Sequence, residues 1–159
     1  MSRLNKLDLG TSFFTNGREC IKSADLLFHD KKRGCQSQYG ILLIHGIELL
    51  LKSYLLFKNT ALVDDPKKIE SYLKSLGHKY CDIYKECLKY GAELNDPIFY
   101  TYFTYLSNTF YEDSVGVRYI ENSGLVSFDP IIFVHLDQRL IKAIHNLYFP
   151  STEYIGDYD

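Results

Sequence analysis

The sequence predicts an all-α protein, an up-and-down helical bundle of about five helices. Apolar residues recur at three- and four-residue intervals through most of the chain, the period of a single helix face. All four prolines, Pro66, Pro97, Pro130 and Pro150, stand at the borders of those periodic runs, where a helix starts or stops. With 159 residues, 46% of them hydrophobic, the chain is long enough to bury one core and too short for two.

The first helix is expected from Thr11 to Lys32, with Thr11 or Ser12 as its cap. Phe13, Phe14, Cys20, Ile21, Ala24, Leu27 and Phe28 follow at helical spacing. The run Asp30-Lys31-Lys32-Arg33-Gly34 ends it, since cations suit a last turn and glycine suits the residue beyond. The second helix, Cys35 to Asn59, is apolar nearly all round and belongs at the centre of the bundle. Asp65 caps a short helix that begins at Pro66 and ends at Gly77. His78 to Gly91 forms the next, with Tyr80, Ile83, Tyr84, Cys87 and Leu88 on one face.

Asp96-Pro97 opens the segment from Ile98 to Tyr111. Its Phe, Tyr and Thr content favours a strand, but Phe99, Phe103, Leu106 and Phe110 keep a helical rhythm, and helix is the reading adopted. Val115 to Phe128 reads as an irregular connection. Asp129-Pro130 starts the last helix, which reaches Tyr148 before Pro150. Residues 1–150 make one domain, and 151–159 a short acidic tail expected to fray.

Several function classes drop out. A formal charge of -2 does not suit a strongly basic nucleic-acid clamp. Met1 to Asp8 carries no apolar leader, which points to a cytoplasmic protein. The oiliest stretch, Ile41 to Phe57, is interrupted by His45, Glu48 and Lys52. It reads as a buried helix rather than a membrane span. Cys20, Cys35, Cys81 and Cys87 lack zinc-ligand spacing, so free thiols are expected, with no metal and no cofactor. No glycine-rich phosphate loop, nucleophile elbow or calcium loop is present.

One feature departs from plain packing. At 100° per residue, Gln38, His45, Glu48 and Lys52 fall within a sector of about 80° on the second helix. Buried unpaired, such groups cost several kcal/mol, so they pair, meet solvent or face a site. Internal pairing is one reading, with Glu48 reaching Lys52 at i,i+4 and His45 reaching Glu48 at i,i+3. A pocket or interface lined by the three is the other. His78, at a predicted helix start, either bonds a backbone group or joins His45, Glu48 and Arg118 around a nucleotide. Tyr100, Tyr102, Tyr105, Tyr111 and Tyr119 read as core aromatics before base-stacking ones.

Two segments carry a family resemblance. Tyr39-Gly-Ile-Leu-Leu-Ile-His-Gly-Ile-Glu-Leu-Leu-Leu-Lys-Ser-Tyr-Leu-Leu-Phe57 resembles the H-x-I-E-L-x-L-K helix of HEPN domains. Leu76-Gly-His-Lys-Tyr-Cys-Asp-Ile-Tyr84 resembles the G-H-D-L-x-x-L start of their next long helix, departing from it at Lys79-Tyr80. Val117-Arg118-Tyr119 is similar to the R-Y that precedes their final helix. The resemblance implies a helical bundle that pairs as a homodimer, in a bacterial or archaeal setting of defence, toxin–antitoxin pairs or RNA processing. It implies an RNA or nucleotide ligand, and an antitoxin or nucleotidyltransferase as partner protein.

Many HEPN domains are metal-independent endoribonucleases with an R-x(4–6)-H motif, and others are non-catalytic binding modules. Arg139-Leu-Ile-Lys-Ala-Ile-His145 fits the spacing. In the enzyme reading His145 is the general acid or base and Arg139 stabilises charge on the phosphorane. On an ideal helix the two lie about 120° apart, so only a wide cleft uses both. In the other reading, His45, Glu48, Lys52, His78 and Arg118 serve a nucleotide or partner protein.

Overall fold

The computed structural model describes residues 5–30, 36–109 and 131–156. Among them the fold is an all-α bundle, with no strand element. Six helices are present among the described residues rather than about five: α1 (Lys6–His29), α2 (Gln36–Lys58), α3 (Pro66–Leu76), α4 (Tyr80–Cys87), α5 (Pro97–Thr109) and α6 (residues 131–148). The connection expected over 115–128, with Arg118 in it, and the Asp129-Pro130 start lie outside the described residues.

α1 begins five residues earlier than expected. Asn5 is the cap, its Oδ1 accepting the Asp8 N–H at 2.8 Å, and the helix runs on through Gly10. Thr11 is no cap, because its hydroxyl donates back to the Leu7 carbonyl at 2.9 Å.

α1 and α2 lie antiparallel. Phe28 meets Tyr39 edge to face at 5.4 Å near one end, and Ser53 Oγ donates to the Gly10 carbonyl at 2.8 Å near the other. Midway, two glycines let the backbones touch. A Cβ on Gly46 would stand 2.9 Å from the Gly17 carbonyl oxygen, and one on Gly17 would stand 3.0 Å from that of Gly46. No larger residue fits without pushing the helices apart.

Leu43, Ile44, Ile47, Leu50, Leu51, Tyr54 and Leu55 are all fully buried, so α2 is the central helix its all-round apolarity predicts. It is also long and apolar enough to cross a membrane by length and composition, but 72% of that stretch is buried inside the protein. α4 covers one side of it with Tyr80, Ile83, Tyr84 and Cys87. α5 follows as a helix, because Phe99 and Phe103 bury one face against α4, with Phe103 on Tyr84 at 4.8 Å. That packing overrides the strand propensity of its residues. Asp96 caps it as expected, accepting the Ile98 N–H at 2.9 Å.

α6 closes the bundle. Its Tyr148 hydroxyl donates to the Ser53 carbonyl at 2.8 Å, and burial pushes that phenol up to about 12. Its middle, Leu136–Ile141, is π-helical. The widened turn buries Leu136, Asp137, Leu140 and Ile141 together. In the described part of the tail, Tyr154 packs on His145 at 5.0 Å and hydrogen-bonds Asp137. Tyr100, read as core, is instead 66% exposed.

Gly46→Ala tests the glycine contact. Alanine is the better helix former by about 1 kcal/mol, so an exposed site would gain stability. Here the overpacking term of roughly 1–3 kcal/mol wins, and urea unfolding is expected to show a lower midpoint. An unchanged or higher midpoint contradicts the close approach.

Candidate functional site

Glu48 is 2% exposed, a carboxylate in the middle of the oiliest helix. Leaving it unpaired there costs several kcal/mol. Two groups share its Oε1: Lys52 Nζ at 2.8 Å, one turn along α2, and His78 Nδ1 at 2.9 Å, thirty residues away. The i,i+4 pairing is the one the spacing predicts. The His78 contact is tertiary, a side-chain contact with the Glu48 carboxylate.

Gly77 makes that contact geometrically possible. It ends α3 with φ 65° and ψ -147°, a region essentially closed to residues with a Cβ. The chain reverses there, and His78 is returned across α2. On the other side, Asp65 accepts the Lys67 and Lys68 N–H groups at 2.8 and 3.2 Å and fixes the start of α3. Lys6 ties the α2–α3 loop to α1: its backbone N–H donates to Asp64, and its ammonium to the Asn59 and Leu62 carbonyls.

α3 carries Ile69, Tyr72, Leu73 and Leu76 at i, i+3, i+4 and i+7, an inward stripe. Only Ile69 is buried to the core. Tyr72 and Leu76 pack partly buried against it, and Leu73 faces a cleft of about 610 Å³. Leu9 and Phe13 of α1 form one wall, and Pro66, Ile69 and Leu73 of α3 the other. Lys52 and His78 line it, with the Glu70–Lys74 ion pair at its α3 edge. Pockets of this size hold drug-sized ligands.

Lys52 is the unusual member. Its side chain is 8% exposed, and an ammonium has three N–H donors. Glu48 takes one; the other two have no partner among the described residues. His78 is 59% exposed and lines the cleft.

The remaining predicted residues go elsewhere. His45 neither lines the cleft nor pairs with Glu48 as the i,i+3 spacing suggests; its buried Nδ1 has no hydrogen-bond partner among the described residues. Arg118 is outside the described residues. Arg139 is ion-paired with Asp96 at the start of α5. The Ile98 N–H and then Arg139 hold the Asp96 carboxyl below its usual range. His145 is 9% exposed and packs against Phe14, Phe149 and Tyr154 at 6.2, 5.2 and 5.0 Å. Within one chain, Arg139 and His145 therefore serve different neighbourhoods.

Sequence reasoning missed the walls. Leu9, Phe13, Ile69 and Leu73 look like any core residues, and only the cleft between α1 and α3 turns them into a lining. It also missed Asp137, 1% exposed and bonded to Tyr154, although an aspartate inside the apolar run Ile131 to Ile144 was a visible signal. Among the described residues no group of His, Cys, Asp and Glu is arranged to hold a metal ion. Cys20, Cys81 and Cys87 are free thiols, and burial pushes Cys87 well up.

No protein-family model, no curated protein and no solved structure matches the chain.

Gly77→Ala is expected to lower stability by about 1–3 kcal/mol, the cost of forcing a Cβ into that backbone region. Nothing stands within 4 Å of the added carbon, so the loss measures backbone strain alone. A variant as stable as the parent in urea unfolding contradicts the turn that delivers His78.

Proposed function

We propose that this chain is a HEPN-like binding module rather than a nuclease, and that its ligand site is the cleft between α1 and α3. The supporting observation is the Lys52 ammonium, nearly buried beside a cleft with apolar walls, with two N–H donors unused among the described residues. Desolvated donors of that kind are expensive unless something accepts from them. The acceptor is an anionic group of the ligand, with His78 as the second contact.

The HEPN reading rests on the helix carrying His45, Glu48 and Lys52 and on the Gly77-His78 turn. It supports a homodimer working in the cytosol. The endoribonuclease reading asks Arg139 and His145 to share a cleft. Arg139 is engaged by Asp96, and His145 is enclosed by aromatic rings. That arrangement favours binding over cleavage.

The test uses 8-anilinonaphthalene-1-sulfonate, an aromatic body with one negative charge, beside a metal-free RNA cleavage assay. Saturable one-site fluorescence is expected from the folded protein. Lys52→Met should weaken it about tenfold, equivalent to 1.4 kcal/mol. RNA should stay intact. Absence of saturable binding overturns the cleft, and cleavage that disappears in His145→Ala restores the enzyme.

A further inference from the structure

We infer that Asp137, His145 and Arg18 form a second site, for an aryl group bearing a hydroxyl, and that the tail closes it by seating its own Tyr154 there. This second site shares no residue with the α1–α3 cleft and does not depend on it.

The π-helical turn of α6 builds the site. Asp137 and His145 are eight residues apart, and on an unbroken α-helix they would point about 80° apart. The i→i+5 turn over Leu136–Ile141 takes up one residue more than an i→i+4 turn, which cuts that angle to about 20°. A carboxylate and an imidazole two turns apart therefore share one face. Asp137 is 1% exposed and His145 9%. α1 adds Arg18, one turn on from Phe14, whose ring meets that of His145 at 6.2 Å.

Tyr154 shows what the face accepts. Its hydroxyl donates to Asp137 Oδ1, its ring stands 5.0 Å from that of His145, and the Arg18 guanidinium lies over it at 5.7 Å. Gly156 runs so close to the second carboxylate oxygen that a Cβ there would stand 2.7 Å from Oδ2. The tail thus lies against both oxygens of a buried carboxylate. It does so as a non-helical segment whose Ser151, Thr152, Glu153 and Ile155 are exposed. Such a segment opens at lower cost than the bundle beneath it. A ligand that takes its place needs an aromatic face for the guanidinium and the imidazole. It also needs a hydroxyl, because a desolvated carboxylate is costly to leave without a donor.

Diethyl pyrocarbonate modification of His145 in the full chain, read by peptide mass spectrometry, tests the inference, with circular dichroism as the check on folding. Slow modification is expected in the wild type, at a rate unchanged by urea below the unfolding transition, as local opening requires. Tyr154→Ala empties the seat. Gly156→Ala pushes the tail off Asp137 and leaves the seat intact. Each should speed modification at least about tenfold, equivalent to 1.4 kcal/mol in the opening equilibrium. Phenol should bind the Tyr154→Ala variant at one site and restore protection, with benzene at least about tenfold weaker. Equal binding of phenol and benzene overturns the recognised group. Wild-type His145 that reacts only as fast as the whole molecule unfolds makes the tail a fixed part of the fold and overturns the closure. If Tyr154→Ala does not fold, Gly156→Ala decides, and reactivity equal to that of the wild type overturns the inference.

Discussion

A carboxylate buried in the central helix of an all-α bundle has to be compensated, and Glu48 organises the structure around that need. Lys52 answers from the next turn of the same helix. His78 answers from the far end of α3, which obliges the chain to turn at Gly77 in a conformation that only glycine enters freely. The position of α3, the cleft it leaves against α1 and the groups lining that cleft follow from one charge. Breaking such a pair by removing a single partner strands the other in low dielectric, which costs about 3–5 kcal/mol.

The Gly17–Gly46 contact supplies the frame. It sets α1 directly against α2, so that Leu9 and Phe13, toward the start of α1, lie beside Lys52 toward the end of α2. Ser53, the neighbour of Lys52, locks the same end by bonding the Gly10 carbonyl and receiving the Tyr148 hydroxyl on its own. α6 thereby holds the back of the helix whose front carries the site. The apolar face is tight where the glycines meet and open between α1 and α3, where the cleft lies.

Much of the fold was legible in the sequence. The all-round apolarity of α2, the Asp65-Pro66 and Asp96-Pro97 starts and the Gly77 stop each rest on local chemistry, and each recurs in the structure. The start of α1 was misplaced because Thr11 and Ser12 read as caps, when Asn5 caps the helix and the Thr11 hydroxyl bonds back to the Leu7 carbonyl. The Glu48–Lys52 pair was legible because i,i+4 is a fixed distance on any helix. The partnership with His78 was not, since no local rule says where a residue thirty positions on will land. The shelter of His145 among Phe14, Phe149 and Tyr154 was equally invisible, because it depends on a tail that composition marks as loose.

The central claim is that Glu48 and Lys52 form a buried ion pair, met by His78 from the surface, rather than a set of surface charges. A double-mutant cycle on folding stability, with Glu48→Gln and Lys52→Met separately and together, measures it most directly. An exposed i,i+4 pair contributes only about 0.3–0.5 kcal/mol. For the buried pair a coupling above about 1 kcal/mol is expected, because Lys52→Met should relieve much of the penalty of Glu48→Gln. A coupling near zero would mean that the two charges are solvated, and the cluster, with the cleft built on it, would fall.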